Sequence, residues 1–404
     1  MITSPAFSGR LYAVLGLARS GLASVAALVA SGARVTAWDN REEARDAVAG
    51  KAEIADLLAI DLAGYDGVVV SPGVPLNRHP IAAKARAAGV PLIGDIELFA
   101  QARGALPRHR VVGITGTNGK STTTALVHHI LETAGVPTAM GGNIGLPILA
   151  QDPLPQGGVY VLELSSYQLD LTHRLDCDVA VLLNITPDHL DRYADFNAYA
   201  ASKRRLFDMQ SPGRAAIVGD DVAIDQSNWP ALQGPHNAQN ARAAIAVCEA
   251  LGLAAGDVAR GLATYPGLPH RMERVREKDG ILFVNDSKAT NTESAAPALA
   301  SYPFVHWIVG GLAKTRDLGS CERELGHVRA AYTIGEAGPM FAKLLEGRVP
   351  VKESELLVTA VNAAAGAAAP GEVVLLSPAC ASFDQFRDYE ARGDAFRAAV
   401  EALA

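Results

Sequence analysis

Lys120 and Ser121 close the run Gly116-Thr117-Asn118-Gly119-Lys120-Ser121, and Thr122 opens the helical run 122–134 behind it. In front lies the apolar run 111–115, which predicts a buried strand. Strand, glycine loop and helix in that order can cradle phosphate. Glycines let backbone N–H groups approach the oxygens. The helix N-terminus adds positive potential, Lys120 adds a full charge, and the Ser121 hydroxyl can reach Mg2+. Ile114 stands where a strict GxxxxGK[ST] spacing wants its first glycine, so the loop is a variant of that pattern. It predicts ATP as the ligand.

Other reactive side chains also follow apolar runs. Glu163 ends the run 159–162, where a carboxylate can ligate Mg2+ or orient water, or stand simply as a strand-end acid in solvent. His189 lies in Thr186-Pro187-Asp188-His189-Leu190-Asp191-Arg192; taken alone it reads as a surface or capping histidine. Lys203 lies in the helical run 197–209 and alone reads as a solvated lysine. Farther on, His270-Arg271 follows the run YPGLP. The polar clusters at 285–291 and 377–384 directly follow the strand-like runs 281–284 and 373–376. Such clusters are costly to bury without partners, and open α/β sheets bind ligands beyond the carboxyl ends of their strands. Near the start, strand 11–15, Gly16-Leu17-Ala18-Arg19-Ser20-Gly21, a helix to Ala30, strand 34–38 and Asp39 form a βαβ unit. Ala18 replaces the second glycine of a dinucleotide fingerprint, so the unit predicts some nucleotide phosphate rather than NAD. Ser71-Pro72-Gly73-Val74-Pro75 follows a second strand, 68–70, and can line the same site.

The elements that position these groups alternate throughout. Short apolar runs at 11–15, 68–70, 111–115, 159–162, 179–183, 304–309 and 373–376 are separated by Ala/Leu-rich helical runs. That pattern predicts an α/β fold with mainly parallel sheets. Candidate linkers at 101–110 and 265–269 divide the chain into pieces of roughly 100, 165 and 135 residues, each of domain size. A net charge of −7 and the lack of a Lys/Arg run argue against nucleic acid. Cys177, Cys248, Cys321 and Cys380 form no CxxC pair and read as reduced thiols. No secretory leader and no membrane-length apolar run is legible, so a cytoplasmic protein without membrane insertion is expected.

Taken together, GITGTNGKST, GGNIGLP, LELSSYQL, DHLDRY, HNAQNA, LPHRME, NDSKATN and SPACASFDQF resemble the Mur ligase family. NDSKATN and SPACASFDQF resemble its D-glutamate-adding branch more than those adding L-alanine, a diamino acid or a dipeptide. The resemblance implies three α/β domains. Residues 1–103 would form a Rossmann-like UDP-substrate-binding domain. Residues 104–267 would form a central P-loop ATPase-like domain with a mainly parallel sheet. Residues 268–404 would form a Rossmann-like domain that closes on ATP and binds D-glutamate. Leu17, Ala18, Arg19, Ser20, Asp39, Gly73 and Asn143 would then contact UDP-N-acetylmuramoyl-L-alanine. Asn237, Asn240, His270, Arg271 and Asp286 would join the Gly116–Thr122 loop on ATP. Thr290, Lys314, Ser382 and Tyr389 would hold D-glutamate, whose two carboxylates need a cation and hydroxyl donors. Ser121, Glu163, His189 and Lys203 would surround Mg2+, with Lys203 as a carbamate. Lys120, Lys203 and His189 would be catalytic. The implied protein is a monomeric, cytoplasmic, ATP-dependent ligase of peptidoglycan precursor synthesis, and so of cell wall biogenesis, cell shape and cell division.

Three rivals compete with that expectation. A nicotinamide dehydrogenase leaves the GTNGKS loop without a purpose. A regulatory P-loop ATPase that binds a partner without ligation would release phosphate independently of both D-glutamate and the UDP-sugar. Another Mur ligase, adding a different amino acid, is the closest rival. Two departures from the family pattern stand out. The stretch between Ile217 and His236 is short and shows no hairpin signal, and Leu312-Ala313 precede Lys314 where relatives often carry charge.

Overall fold

The computed structural model describes residues 1–188, 191–220 and 222–403. The chain forms two compact units, residues 1–220 with 240–262, and residues 221–239 with 263–404. Among the described residues no helix is long and apolar enough to cross a membrane. The fold is α/β, with three mainly parallel sheets in chain order.

The first unit holds two of the sheets. Strands β1 (Leu11–Leu15), β2 (Arg34–Trp38), β3 (Glu53–Ile54), β4 (Gly67–Val70) and β5 (Leu92–Ile93) lie in the order β3-β2-β1-β4-β5, all parallel. Helix α1 (Arg19–Ala30) starts directly after the first glycine loop. Helix α2 (Asp95–Ala102) then leads toward the second sheet. That sheet consists of β6 (Arg110–Thr115), β7 (Thr138–Gly142), β8 (Val159–Glu163), β9 (Val179–Leu182) and β10 (Ala215–Val218), in the order β10-β9-β6-β8-β7. The runs read as buried strands earn that reading physically. β4, β8 and β9 are buried along their whole length, as strands covered on both faces must be. One continuous core runs from Tyr12 and Val14 through Phe99 to Tyr160, Leu162 and Leu206, and so joins the two sheets. Helix α3 (Lys120–Thr133) follows β6. The short helix α4 (Ser166–Asp170) is started by a capping box in which Ser165 and Gln168 satisfy each other's backbone N–H groups. Helix α5 (Phe196–Asp208) is capped by Asp195, whose side chain accepts from Ala198 N.

Helix α6 (Pro235–Ala250) belongs partly to each unit. The second unit carries β11 (Glu273–Lys278), β12 (Ile281–Asn285), β13 (Val305–Gly310), β14 (Val328–Ile334), β15 (Val351–Glu355) and β16 (Val373–Leu376), ordered β11-β12-β16-β13-β14-β15. β11 is antiparallel to β12 and the remaining pairs are parallel. Cores centred on Trp307 and on Phe283 cover its two faces. Helix α7 (Tyr389–Glu401), capped by Asp388, closes the chain. Between β10 and α6 no strand occurs among the described residues, which accords with the missing hairpin signal there.

Candidate active site

In the first unit, β6 delivers the Gly116–Ser121 loop to the carboxyl edge of the second sheet, with β9 and β8 as its neighbours. Asn184, just past β9, holds the loop open. Its backbone oxygen accepts from Thr117 N at 2.9 Å and its side-chain Oδ1 accepts from Asn118 N at 2.9 Å. Gly119 is the N-cap of α3 with φ +82, and a Cβ there would lie 2.2 Å from Asn240 Oδ1. Only glycine meets both demands. Asn240 Oδ1 also accepts from Thr123 Oγ1 at 3.2 Å, which ties α6 to the start of α3.

Two ammonium groups converge on this loop. Lys120 Nζ donates to Gly116 O at 2.9 Å and to Thr117 O at 2.8 Å, and Lys203 Nζ donates to Gly116 O at 2.8 Å. Lys203 is 2% exposed, which corrects its reading as a solvated lysine. α5 packs against the end of β6, and the side chain points inward beneath the Tyr199 ring, 4.7 Å from its centroid. Burial first, and the nearby Lys120 charge second, push its pKa down to about 7. Glu163 is the last residue of β8 rather than the first after it, and it is buried, not a solvent-facing acid. Its Oε1 accepts from Asn143 Nδ2 at 3.0 Å, while the buried Oε2 has no hydrogen-bond partner. An orphaned buried carboxylate oxygen close enough to Lys203 to act on its charge suits a hard cation, and with the buried hydroxyl of Ser121 in the loop the residues fit Mg2+. His189, the remaining predicted ligand, lies outside the described residues, and Thr122 sits in the first turn of α3.

The residues expected on the UDP-substrate follow β1, β2 and β4 of the first sheet and β7 of the second. Asp39 Oδ2 accepts from Leu17 N at 2.7 Å. Burial pushes its carboxyl up, but hydrogen bonds from Arg41 and Leu17 outweigh that and hold it near about 2. Ala18 is the N-cap of α1 and makes no side-chain cap, so the N–H groups of Arg19 and Ser20 head an uncapped helix start. Arg19 Nη2 donates to Gly145 O at 2.8 Å, next to the Asn143 loop. The loop bearing Gly73 is tied to the loop after β9 twice, by Arg192 Nη2 to Val74 O at 2.9 Å and by Asn77 Nδ2 to Asp191 O at 3.0 Å. Arg192 also stacks over Tyr167, 4.2 Å from its centroid. Asn184 and Arg192 had no assigned role in the sequence reading. For Asn184 the position directly after an apolar strand was the available signal.

In the second unit, the two polar clusters follow β12 and β16, which are hydrogen-bonded neighbours, and the Lys314 loop follows β13 on the other side of β16. Leu312 and Ala381 exchange backbone hydrogen bonds of 2.8 and 3.0 Å, which lays the Lys314 loop against Ser382. The buried Arg392 locks both clusters together, donating to Ser287 Oγ and O and to Cys380 O at 2.8–3.0 Å. Lys288 Nζ lies 3.6 Å from the Tyr389 ring centroid. Thr290 and Tyr389 are half-buried, Ser382 is buried and Lys314 is exposed. Asp286 accepts from Met272 N at 3.2 Å and from Ser377 Oγ at 2.8 Å. Its burial raises its pKa to about 7, against the downward pull of Ser377 and Met272. His270 Nδ1 lies 3.0 Å from Asn285 Nδ2, and Asn237 Nδ2 donates to Gln233 O at 3.0 Å. The expected ATP contacts thus fall in both units, Gly116–Thr122 and Asn240 in the first, Asn237, His270, Arg271 and Asp286 in the second.

A glycine loop at a strand end, a buried lysine–carboxylate cluster and a third α/β sheet with polar strand-end loops have the makings of an enzyme site. Family descriptions match in order: "Mur ligase MurD-like, N-terminal domain" over residues 10–94, "Mur ligase middle domain" over 114–231, and "Mur ligase, glutamate ligase domain" over 270–380. The chain belongs to the Mur ligase family. It is 62% identical to the UDP-N-acetylmuramoylalanine–D-glutamate ligase of Novosphingobium aromaticivorans, across 100% of this chain and 97% of that protein. It is 58% identical to the protein of the same name from Zymomonas mobilis, across 100% of both. The first of these alignments runs to 429 positions against the 404 residues of this chain, so the relative has positions without a counterpart here. In fold the chain is similar to the MurF ligase of Thermotoga maritima in complex with ADP, with TM-score 0.58 at 16% identity over 98% of this chain and 96% of that one.

Proposed function

We propose that the chain is an ATP-dependent ligase that joins D-glutamate to the L-alanyl carboxylate of UDP-N-acetylmuramoyl-L-alanine, in cytoplasmic peptidoglycan precursor synthesis. Full-length identity to ligases of that name supports the reaction. The observation that carries the site is the meeting of Lys120 and Lys203 at Gly116 O, with the unpaired Glu163 oxygen in the same buried cluster.

The chemistry follows phosphoryl-transfer logic. The alanyl carboxylate attacks the γ-phosphorus of ATP. Lys120 and the loop N–H groups neutralise the charge that develops on the transferring group. An acyl phosphate forms and ADP leaves. The neutral amine of D-glutamate then attacks the activated carbonyl, and phosphate departs as the amide forms. Ser121, Glu163, His189 and Lys203 would hold Mg2+, which when bound supplies charge neutralisation on the phosphate oxygens. An ammonium has no acceptor, so Lys203 can take that part only as a carbamate, formed when the neutral amine adds to CO2 and loses a proton. The low pKa that its burial produces keeps the neutral amine available. Asn143, hydrogen-bonded to Glu163, would carry the substrate's position to the cation site. Lys314, Thr290, Ser382 and Tyr389 would hold D-glutamate.

Hydroxylamine tests the activated intermediate. With ATP and UDP-N-acetylmuramoyl-L-alanine but no D-glutamate, it should trap the alanyl group as a hydroxamate, with one ADP released per trap. ADP release without hydroxamate would overturn the acyl-phosphate route.

A further inference from the structure

The segment that enters the third sheet is backbone-strained. His270 has φ +61 and Met272 has φ +50, so two residues with side chains sit in the left-handed region on either side of Arg271. L residues avoid that region because Cβ crowds the following carbonyl, and such positions persist only where the surroundings over-determine them. Arg271 N donates to Leu268 O at 3.2 Å, which closes a tight turn but does not explain the two flanking residues.

One carboxylate links the turn to two neighbouring elements. Glu273 Oε2 accepts from His270 N at 2.9 Å and from Asn285 Nδ2 at 3.0 Å, while Oε1 accepts from Arg397 Nη2 at 2.7 Å. Asn285 is the last residue of β12. Its amide also lies 3.0 Å from His270 Nδ1 and donates to Gly393 O at 3.2 Å. Arg397 is itself paired with Asp394 at 2.8 Å. On the far side, Lys288 N donates to His270 O at 3.0 Å and Met272 N donates to Asp286. Helix α7 presses against the imidazole so closely that a Cβ on Gly393 would lie 2.1 Å from His270 Nδ1. The turn is thus held from β12, from α7 and from the loop after β12. Glu273 reaches the turn's own backbone at His270 N and also binds Asn285 on β12 and Arg397 on α7.

We infer that Glu273, buttressed by Asn285 and Arg397, is a positioning residue for ATP: it locks the left-handed His270–Met272 turn and so fixes where Arg271 meets the nucleotide. The inference rests on the reading of Arg271 as an ATP contact. A plain ion pair between β11 and α7 would need only Arg397 on Glu273. It would not need the second oxygen to be spent on a backbone N–H within the turn.

Direct binding separates the possibilities. ATP affinity is measured by calorimetry on the full chain, beside affinity for UDP-N-acetylmuramoyl-L-alanine. Glu273→Ala should weaken ATP by about 10- to 100-fold, the scale of losing hydrogen bonds to a charged acceptor, and leave the UDP-substrate affinity within about twofold. Glu273→Gln keeps an oxygen for His270 N and Asn285, and should recover most of the loss. Arg397→Ala removes only the outer buttress and should melt like the parent while costing ATP affinity about fivefold or less. Amide exchange at His270 and Arg271 should speed up in Glu273→Ala ahead of the rest of β11. Unchanged ATP affinity in Glu273→Ala, or equal weakening of both ligands, would overturn the inference. Because binding is read without turnover, a parent chain that binds ATP but does not ligate D-glutamate would refute the proposed reaction and still decide the role of Glu273.

Discussion

Replacing Gly119 by alanine should damage nucleotide binding by an amount that the loop geometry sets. Two costs combine. The residue holds φ +82, and a left-handed L residue costs roughly 1–2 kcal/mol. The new Cβ would lie 2.2 Å from Asn240 Oδ1, so Asn240 must swing away and give up its hydrogen bond from Thr123, worth about 0.5–1.5 kcal/mol. The total of about 1.5–3.5 kcal/mol corresponds to roughly 10- to 400-fold in an equilibrium constant. Gly135 is the matched control. It has φ +73 with nothing within 4 Å of a built Cβ, so Gly135→Ala carries only the backbone cost. Calorimetric ATP binding and urea unfolding on both variants separate the terms. Gly135→Ala should lose stability and keep ATP affinity, whereas Gly119→Ala should lose more in stability and ATP affinity combined. The steric argument is refuted if Gly119→Ala binds ATP within twofold of the parent and unfolds like Gly135→Ala.

Lys120→Ala should fold normally and lose about 10^3 or more in phosphate release, the scale of removing a main stabiliser of a transferring phosphoryl group; near-normal turnover would remove the loop from the reaction. Lys203→Ala should be inactive and partly restored by added short carboxylic acids, and Lys203→Arg, which keeps a cation but cannot be carbamylated, should stay inactive. Full activity in Lys203→Arg would reject the carbamate. Asp286 has a pKa raised by burial from 3.8 to about 7, so its contribution to stability is fully present below 3.8 and is lost as pH rises through about 7. Melting of the ligand-free Asp286→Asn variant against the parent should therefore move in the variant's favour between pH 4 and pH 8 (roughly that window), and parallel melting curves against pH would show that the carboxyl is not protonated in the fold.

Much of the frame is legible in the sequence, for a physical reason. Strands buried on both faces must be continuous apolar runs, and Leu11–Leu15 and Val373–Leu376 fall where the runs predict. The order of strand, glycine loop and helix likewise survives translation into structure at Gly116–Lys120. What stays hidden is decided by packing. Lys203, Arg204 and Arg205 are three adjacent cations with equal claims on solvent; the seating of α5 against β6 buries the first, exposes the second and half-buries the third. β11 carries five charged residues in ERVREK, so no hydrophobic period announces a sheet-edge strand. The Glu273–Asn285 contact joins two strands whose pairing is antiparallel and bulged between Arg274 and Arg276, a register that composition does not encode.

Phosphate release from ATP with UDP-N-acetylmuramoyl-L-alanine present, assayed separately with D-glutamate, L-glutamate, L-alanine and a diamino acid, bears most directly on the central claim. The D-glutamate reaction should release phosphate in step with a UDP-sugar product heavier by one glutamyl residue. The other amino acids should stay at the level seen with none. Equal or greater release with L-alanine or the diamino acid would assign the chain to a different Mur ligase specificity. Release independent of both the UDP-substrate and the amino acid would contradict ligation itself.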